Sequence, residues 1–159
     1  MSMMPKTSSF SELSMTQIVM PFHANLAGNM HGGEVMKLMD TVAGVVAARH
    51  CHTNVVTASV TQLSFIKPIY VGDLVTCNAK LIYTGKTSME VFVNVKAEDF
   101  KKGTVKYVSE GYFFLVSLDR DGRPCAVPPL LIENEEQQKL FDEAQLRLGK
   151  MKQVSRQNK

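Results

Sequence analysis

Apolar and polar positions change period several times along the chain, and each change marks an element. From about Gly32 to His52, a run rich in Ala, Val, Met and Leu keeps helical spacing, which predicts one long helix broken at Asn54. Strand-like patterning follows. Val55–Ile66 is full of Val and Thr and ends before Lys67-Pro68, and Leu74–Tyr83 follows the turn Tyr70-Val71-Gly72-Asp73. Thr84-Gly85-Lys86 signals a tight turn into Thr87–Glu98. There Met89, Val91, Val93, Val95 and Ala97 alternate with Ser88, Glu90, Phe92, Asn94 and Lys96, as a half-buried strand requires. Lys101-Lys102-Gly103 turns the chain into Thr104–Leu118. A shorter strand, Ser14–Met20, is stopped by Pro21. Beyond Pro128-Pro129, Leu140, Phe141, Ala144 and Leu148 recur at helical spacing within Glu133–Lys150, an exposed C-terminal helix with a polar, basic tail. Residues 1–12 are polar and aperiodic and are expected to be a disordered leader.

One long helix followed by four meandering strands is an α+β domain. A helix apolar over most of its circumference needs cover on more than one face, and a curved antiparallel sheet wrapped around it supplies that cover. The expected division is a leader (1–12), a folded domain (13–128) and a C-terminal helix and tail (129–159).

Composition narrows the function classes. The 159 residues suit one domain, and 45% hydrophobic with 21% charged residues is an ordinary soluble balance. A net charge of +3, with basic residues gathered at Lys101-Lys102, Lys106 and the last dozen positions, gives no broad basic face for nucleic acid. It is compatible with an anionic small molecule. Cys51, Cys77 and Cys125 are odd in number and lack CxxC spacing, so they read as packing residues in a reducing cytoplasm. His23, His31, His50 and His52 form no metal-ligand pattern. No apolar run is long enough to span a bilayer, and no signal-peptide core follows the N-terminus. The expected location is cytoplasmic, without a membrane span.

Asp40 breaks the helical pattern. On a helical wheel Glu34, Lys37, Thr41 and Ala48 share one stripe, and Asp40 lies about 80° from its centre among Gly33, Gly44, Met36 and Ala47. A carboxylate in a strip of small residues is either solvated and backbone-bonded, or held against apolar walls as a general base or nucleophile. Upstream, His31-Gly32-Gly33 places two side-chain-free residues at a helix start, where free N–H groups and the dipole suit a developing oxyanion. Gly32 lies ~12 Å along the axis from Asp40, too far for both to reach one carbonyl within a single helix. Asn25 has a neutral amide able to donate to such a carbonyl; its plainer role is a turn residue.

Four motifs in order carry a family resemblance: Asn25-x-x-Gly28-x-x-x-Gly32-Gly33-x6-Asp40, Val56-Thr57-Ala58-Ser59-Val60, Pro68-x-x-x-Gly72-Asp73, and Gly85-Lys86-Thr87-Ser88-Met89-Glu90-Val91. Together, over Ser14 to Pro128, they resemble the hotdog-fold acyl-CoA thioesterases, including bacterial acyl-CoA hydrolases and the cytosolic long-chain enzymes of animals. The resemblance implies a long helix wrapped by an antiparallel sheet, paired edge to edge into at least a homodimer and commonly a trimer of dimers. It implies hydrolysis of acyl-CoA to a free acid and CoA, with CoA as product and no cofactor or metal. Carried over, the catalytic pair is Asn25 and Asp40, contributed by opposite chains, which removes the ~12 Å difficulty. Backbone N–H groups near Gly32 and Gly33 would polarise the thioester carbonyl. Asp40 would activate water or attack directly. Lys86, Thr87 and Ser88 match the turn that contacts CoA, or are an ordinary hairpin. Thr57 and Ser59 would line the thioester pocket, or pack as plain strand residues.

The chain departs from many relatives at Asn29, often acidic, and at His31, often a large apolar residue. The basic residues Arg147, Lys150, Lys152, Arg156 and Lys159 are expected in a solvated tail. Two other readings use the same fold: a hydratase or dehydratase built on His31, which lacks the acidic partner such a dyad needs, and a non-catalytic acyl-CoA sensor.

Overall fold

The computed structural model describes residues 3–159. In chain order its elements are β1 (Lys6–Thr7), β2 (Leu13–Ile18), α1 (Gly32–Cys51), β3 (Asn54–Phe65), β4 (Leu74–Thr84), β5 (Ser88–Asp99), β6 (Thr104–Leu118), β7 (Leu130–Leu131) and α2 (Glu135–Gln157). Short 3-10 turns occupy Ser8–Phe10 and Pro21–His23.

Five strands form one antiparallel sheet in the order β2-β4-β5-β6-β3. The tight turns at Gly85 and Gly103 make β4, β5 and β6 a meander, as their patterns predict. β3 departs from it. It pairs with β6 at the far edge, and the chain crosses the sheet through residues 66–73 to start β4. That connection is too long and too Pro/Gly-marked for a two-residue hairpin, which is why β3 does not pair with its successor.

The inner face of the sheet packs on α1. Met89, Val91, Val93, Val95 and Ala97 are buried, as the alternation of β5 predicts, and meet Val75, Cys77, Ala79 and Leu81 of β4. Val35, Leu38, Met39, Val42, Ala43, Val46 and Ala47 of α1 complete the core. Lys37 and Thr41 of the outward stripe of α1 are exposed, and so is Asp40 beside it.

Part of the outer face is covered by α2, which is both longer and better docked than its sequence suggests. Ala144 and Leu148 are buried, and Phe141 packs on Tyr83 with ring centroids 4.8 Å apart. Arg147, expected in a solvated tail, turns inward. Its Nε donates to Glu90 Oε1 at 2.8 Å, and its guanidinium lies 3.7 Å from the Tyr112 ring centre. Glu90 does sit on the polar face of β5, but α2 buries that part of the face.

The disordered leader is also corrected over its described residues; Met1 and Ser2 lie outside them. β1 runs parallel to β7, Lys6 N donates to Pro129 O at 3.0 Å, and Ser8 Oγ donates to Leu81 O at 2.8 Å. Lys6 Nζ donates to the carbonyl of His50 near the end of α1. Polar side chains without periodicity conceal this arrangement because backbone and hydroxyl bonds, not an apolar stripe, hold it.

Candidate active site

Asn25 sits in the loop that leads into α1. Its Oδ1 accepts from the N–H groups of Ala27 (3.0 Å) and Asn29 (3.2 Å). Its backbone N–H donates to Asn29 O at 2.8 Å, and Gly28, at φ +83°, donates back to Asn25 O at 3.0 Å. The positive φ suits glycine at that corner. Two N–H donors aimed at one side-chain oxygen also fix the amide's orientation: the flipped form would oppose donor to donor. The Nδ2 hydrogens remain without an acceptor among the described residues. Asn25 is therefore a turn residue through its oxygen and a free donor through its nitrogen.

The same loop delivers the start of α1. His31 is its N-cap, and its Nδ1 accepts from Gly33 N at 3.0 Å. The Gly33 N–H, expected to face an oxyanion, is thus occupied in this structure, because a histidine at the cap position reaches it first. The bond also fixes the His31 proton on Nε2 in the neutral ring. Gly32 keeps a free N–H among the described residues. Asn25 and Gly32 line one open cavity of about 270 Å³, together with Met30, Val35, Phe65 and Ile66.

Asp40 lies farther along the exposed side of α1. Thr57 Oγ1, from β3, donates to Asp40 Oδ1 at 2.6 Å. That bond sets the carboxylate's rotamer and leaves Oδ2 without a partner among the described residues. The strip of small residues expected around Asp40 is open only in part: a Cβ added to Gly44 would meet nothing within 4 Å, but one at Gly33 would meet His31 Nδ1 at 3.1 Å, and Ala47 is buried. Asp40 does not line the cavity that holds Asn25 and Gly32.

Thr57 and Ser59, expected to share a pocket, part company. Thr57 pairs with Leu115 and faces α1, whereas Ser59 pairs with Phe114 on the outer face. A bulge at Ala58 inserts one residue, which reverses the facing of Ser59 to Thr61 until a second irregularity between Thr61 and Ser64 restores it for Phe65. Ser59 Oγ lies 4.0 Å from Met151 Sδ of α2.

Lys86, Thr87 and Ser88 form the β4–β5 hairpin. Gly85 N donates to Ser88 O at 2.8 Å, and the carbonyls of Lys86 and Thr87 accept from Val127 N (3.0 Å) and Ser117 N (2.9 Å). Lys86 is exposed at the tip. Ser88 is level with Val116 and, through it, with Val56, so the hairpin stands at the sheet end that carries Thr57. The residues that sequence reasoning missed are Phe65, Ile66 and Lys67 in the cavity wall. Their one signal is a pair of adjacent large apolar residues, which breaks alternation beside Lys67-Pro68.

Known proteins resemble this chain in sequence and fold. The model of the thioesterase superfamily matches residues 27–104. A rat cytosolic acyl coenzyme A thioester hydrolase is 41% identical over 150 residues, covering 93% of this chain; the chain spans only 39% of that protein's length. An apo-hexameric acyl-CoA thioesterase superposes with a TM-score of 0.90 at 30% identity, covering 96% of this chain and 97% of its own. The acyl-CoA hydrolase of Staphylococcus aureus, solved with butyryl coenzyme A, coenzyme A and coenzyme A disulfide, gives 0.86 at 31% identity over 96% and 93%. That enzyme has also been solved as three alanine variants, of an Asn, an Asp and a Thr whose separations along its chain equal those of Asn25, Asp40 and Thr57. With its sheet-wrapped helix, its glycine-rich helix entry and these matches, the chain belongs to the hotdog-fold thioesterase superfamily.

Proposed function

We propose that this chain is an acyl-CoA thioester hydrolase whose active site is shared between two copies. The observation that carries the reading is the split of the chemistry: a free amide and a free helix-start N–H in one cavity, and a carboxylate oriented by Thr57 outside that cavity. Antiparallel pairing of two β3 edges about a two-fold axis would set the start of one β3 beside the end of the other. Asp40 beside Thr57 would then approach the cavity of the partner, which Phe65 borders.

In that geometry the thioester carbonyl accepts from Asn25 Nδ2 and Gly32 N, two donors for the developing oxyanion. Water attacks the carbonyl carbon while Asp40, through its free Oδ2, takes a water proton. The C–S bond breaks as the tetrahedral intermediate collapses. CoA leaves as a thiolate and is protonated by the Asp40 acid, which regenerates the carboxylate. Lys86, Thr87 and Ser88, at the Thr57 end of the sheet, are assigned to the CoA moiety. A dimer is the minimum assembly for this site, and a trimer of dimers is consistent with the hexameric neighbour. The chemistry calls for no cofactor.

The direct test is release of free thiol from a panel of acyl-CoAs by the wild-type chain. Turnover is expected. A chain that binds CoA but releases no thiol from any acyl length would overturn the assignment and favour the sensor.

A further inference from the structure

We infer that Phe65 is the specificity-determining wall of the acyl site, selecting straight acyl chains by length; this rests on the hydrolase reading above. Phe65 closes β3, and its backbone neighbourhood is pinned from two sides. It pairs with Ser109, Ser109 Oγ donates to Ser64 O at 2.7 Å, and Ile66 N donates to Val108 O at 2.8 Å. The ring is therefore carried by a fixed strand end and not by a mobile loop. Its edge lies against the first residue of α1: three ring carbons stand 3.6 to 3.9 Å from where a Gly32 Cβ would be. Gly32 is the residue whose free N–H is assigned to the thioester oxygen, so whatever extends from the carbonyl carbon meets this ring early.

The ring is nevertheless 55% exposed, and its neighbour Ile66 is 50% exposed. Two large apolar side chains at the mouth of a cavity backed by Met30, Val35 and Val108 make a surface suited to an aliphatic chain. Among the described residues, no charged side chain in that cavity wall other than Lys67 competes for the space. An alkyl chain anchored at Gly32 would lie along Phe65, and the ring's bulk would set how many methylenes fit before the chain is turned away. Shortening the side chain opens that path, and enlarging it closes the path sooner.

The test compares wild type with Phe65→Ala, Phe65→Leu and Phe65→Trp, measuring kcat/KM for thiol release from acetyl-, butyryl-, octanoyl- and palmitoyl-CoA. The readout is the ratio between chains within each variant, which a general loss of activity does not move. Phe65→Ala is expected to raise the long-to-short ratio by about tenfold, the worth of roughly two buried methylenes. Phe65→Leu should move it the same way by less, and Phe65→Trp should lower it. If Phe65→Ala does not fold, the opposite shifts of the Leu and Trp variants decide. Variants that scale all four substrates by one common factor would overturn the assignment while leaving the hydrolase reading intact. A wild type inert on every substrate would instead remove the hydrolase reading itself.

Discussion

Asp40 gains its meaning from one neighbour. A mid-helix aspartate is a poor helix former, and here its carboxylate accepts the Thr57 hydroxyl at 2.6 Å. A hydrogen bond to a charged group is worth about 1.5–3 kcal/mol, so losing it should misplace the carboxylate without destroying it. Thr57→Val is expected to lower kcat by roughly tenfold with KM little changed, and Thr57→Ser to recover most of that loss. Asp40→Ala and Asn25→Ala should each cost about two orders of magnitude or more in kcat, read by thiol release at matched oligomeric state. The helix wheel alone singles out Asp40, because a carboxylate among glycines is a local anomaly. Its pairing with Thr57 was not legible, since the two meet only after β3 has been laid beside α1. Ser59 shows the opposite failure: strict alternation places it with Thr57, and one inserted residue at Ala58 sends it to the other face. Gly33 fails for a third reason, because its donor is used up by the local cap at His31.

Among the elements, α2 is held by an ion pair that its own sequence does not announce. Glu90 is 2% exposed and Arg147 13% by side chain, and Arg147 Nη2 lies 2.7 Å from Glu90 Oε1. Burial pushes the Glu90 carboxyl up, against the lowering effect of Arg147. Removing one partner of such a pair leaves the other desolvated and unpaired. Arg147→Ala is expected to destabilise the fold by about 3 kcal/mol in denaturant unfolding near neutral pH. The loss should shrink in acid, where Glu90 is protonated and no longer a buried charge. Replacing both residues together by Met and Leu should restore most of the stability. The end of α1 carries a second titrating group. His50 is fully buried, its Nε2 donates to Pro128 O at 2.7 Å, and burial lowers its pKa below the usual 6.5. The unfolded chain therefore binds a proton that the native chain resists. This contribution to stability is intact above pH 6.5 and is lost as pH falls below that value, towards the lowered native pKa. His50→Gln should flatten this part of the stability–pH profile. The helix and the β5 alternation were plain in the sequence because each is a periodic apolar face. The docking of residues 3–12 and the inward turn of Arg147 were not, because polar bonds between distant segments leave no period.

At the scale of the whole molecule, one chain has both parts of the proposed site and does not bring them together. Gly32 and Asp40 are ~12 Å apart along the same helix axis, and the cavity beside Gly32 excludes Asp40. β3 is a 12-residue edge strand whose exposed Val56 and Phe65 lie near its two ends. An edge of that length with apolar side chains is an open template for pairing, and in the proposed dimer pairing with itself would close it. The sequence reaches this arrangement only through family resemblance; strand order, and hence which edge is free, depends on β3 pairing with β6 across the sheet. The most direct measurement is therefore a subunit complementation. Asn25→Ala and Asp40→Ala chains carrying different tags are co-expressed, the mixed dimer is purified through both tags, and thiol release is compared with that of each parent. If Asn25 and Asp40 act across the interface, the mixed dimer holds one intact site and one doubly altered site. It should then recover about half the wild-type rate per dimer while both parents stay nearly inert. A mixed dimer as inactive as its parents would contradict a site shared between two chains.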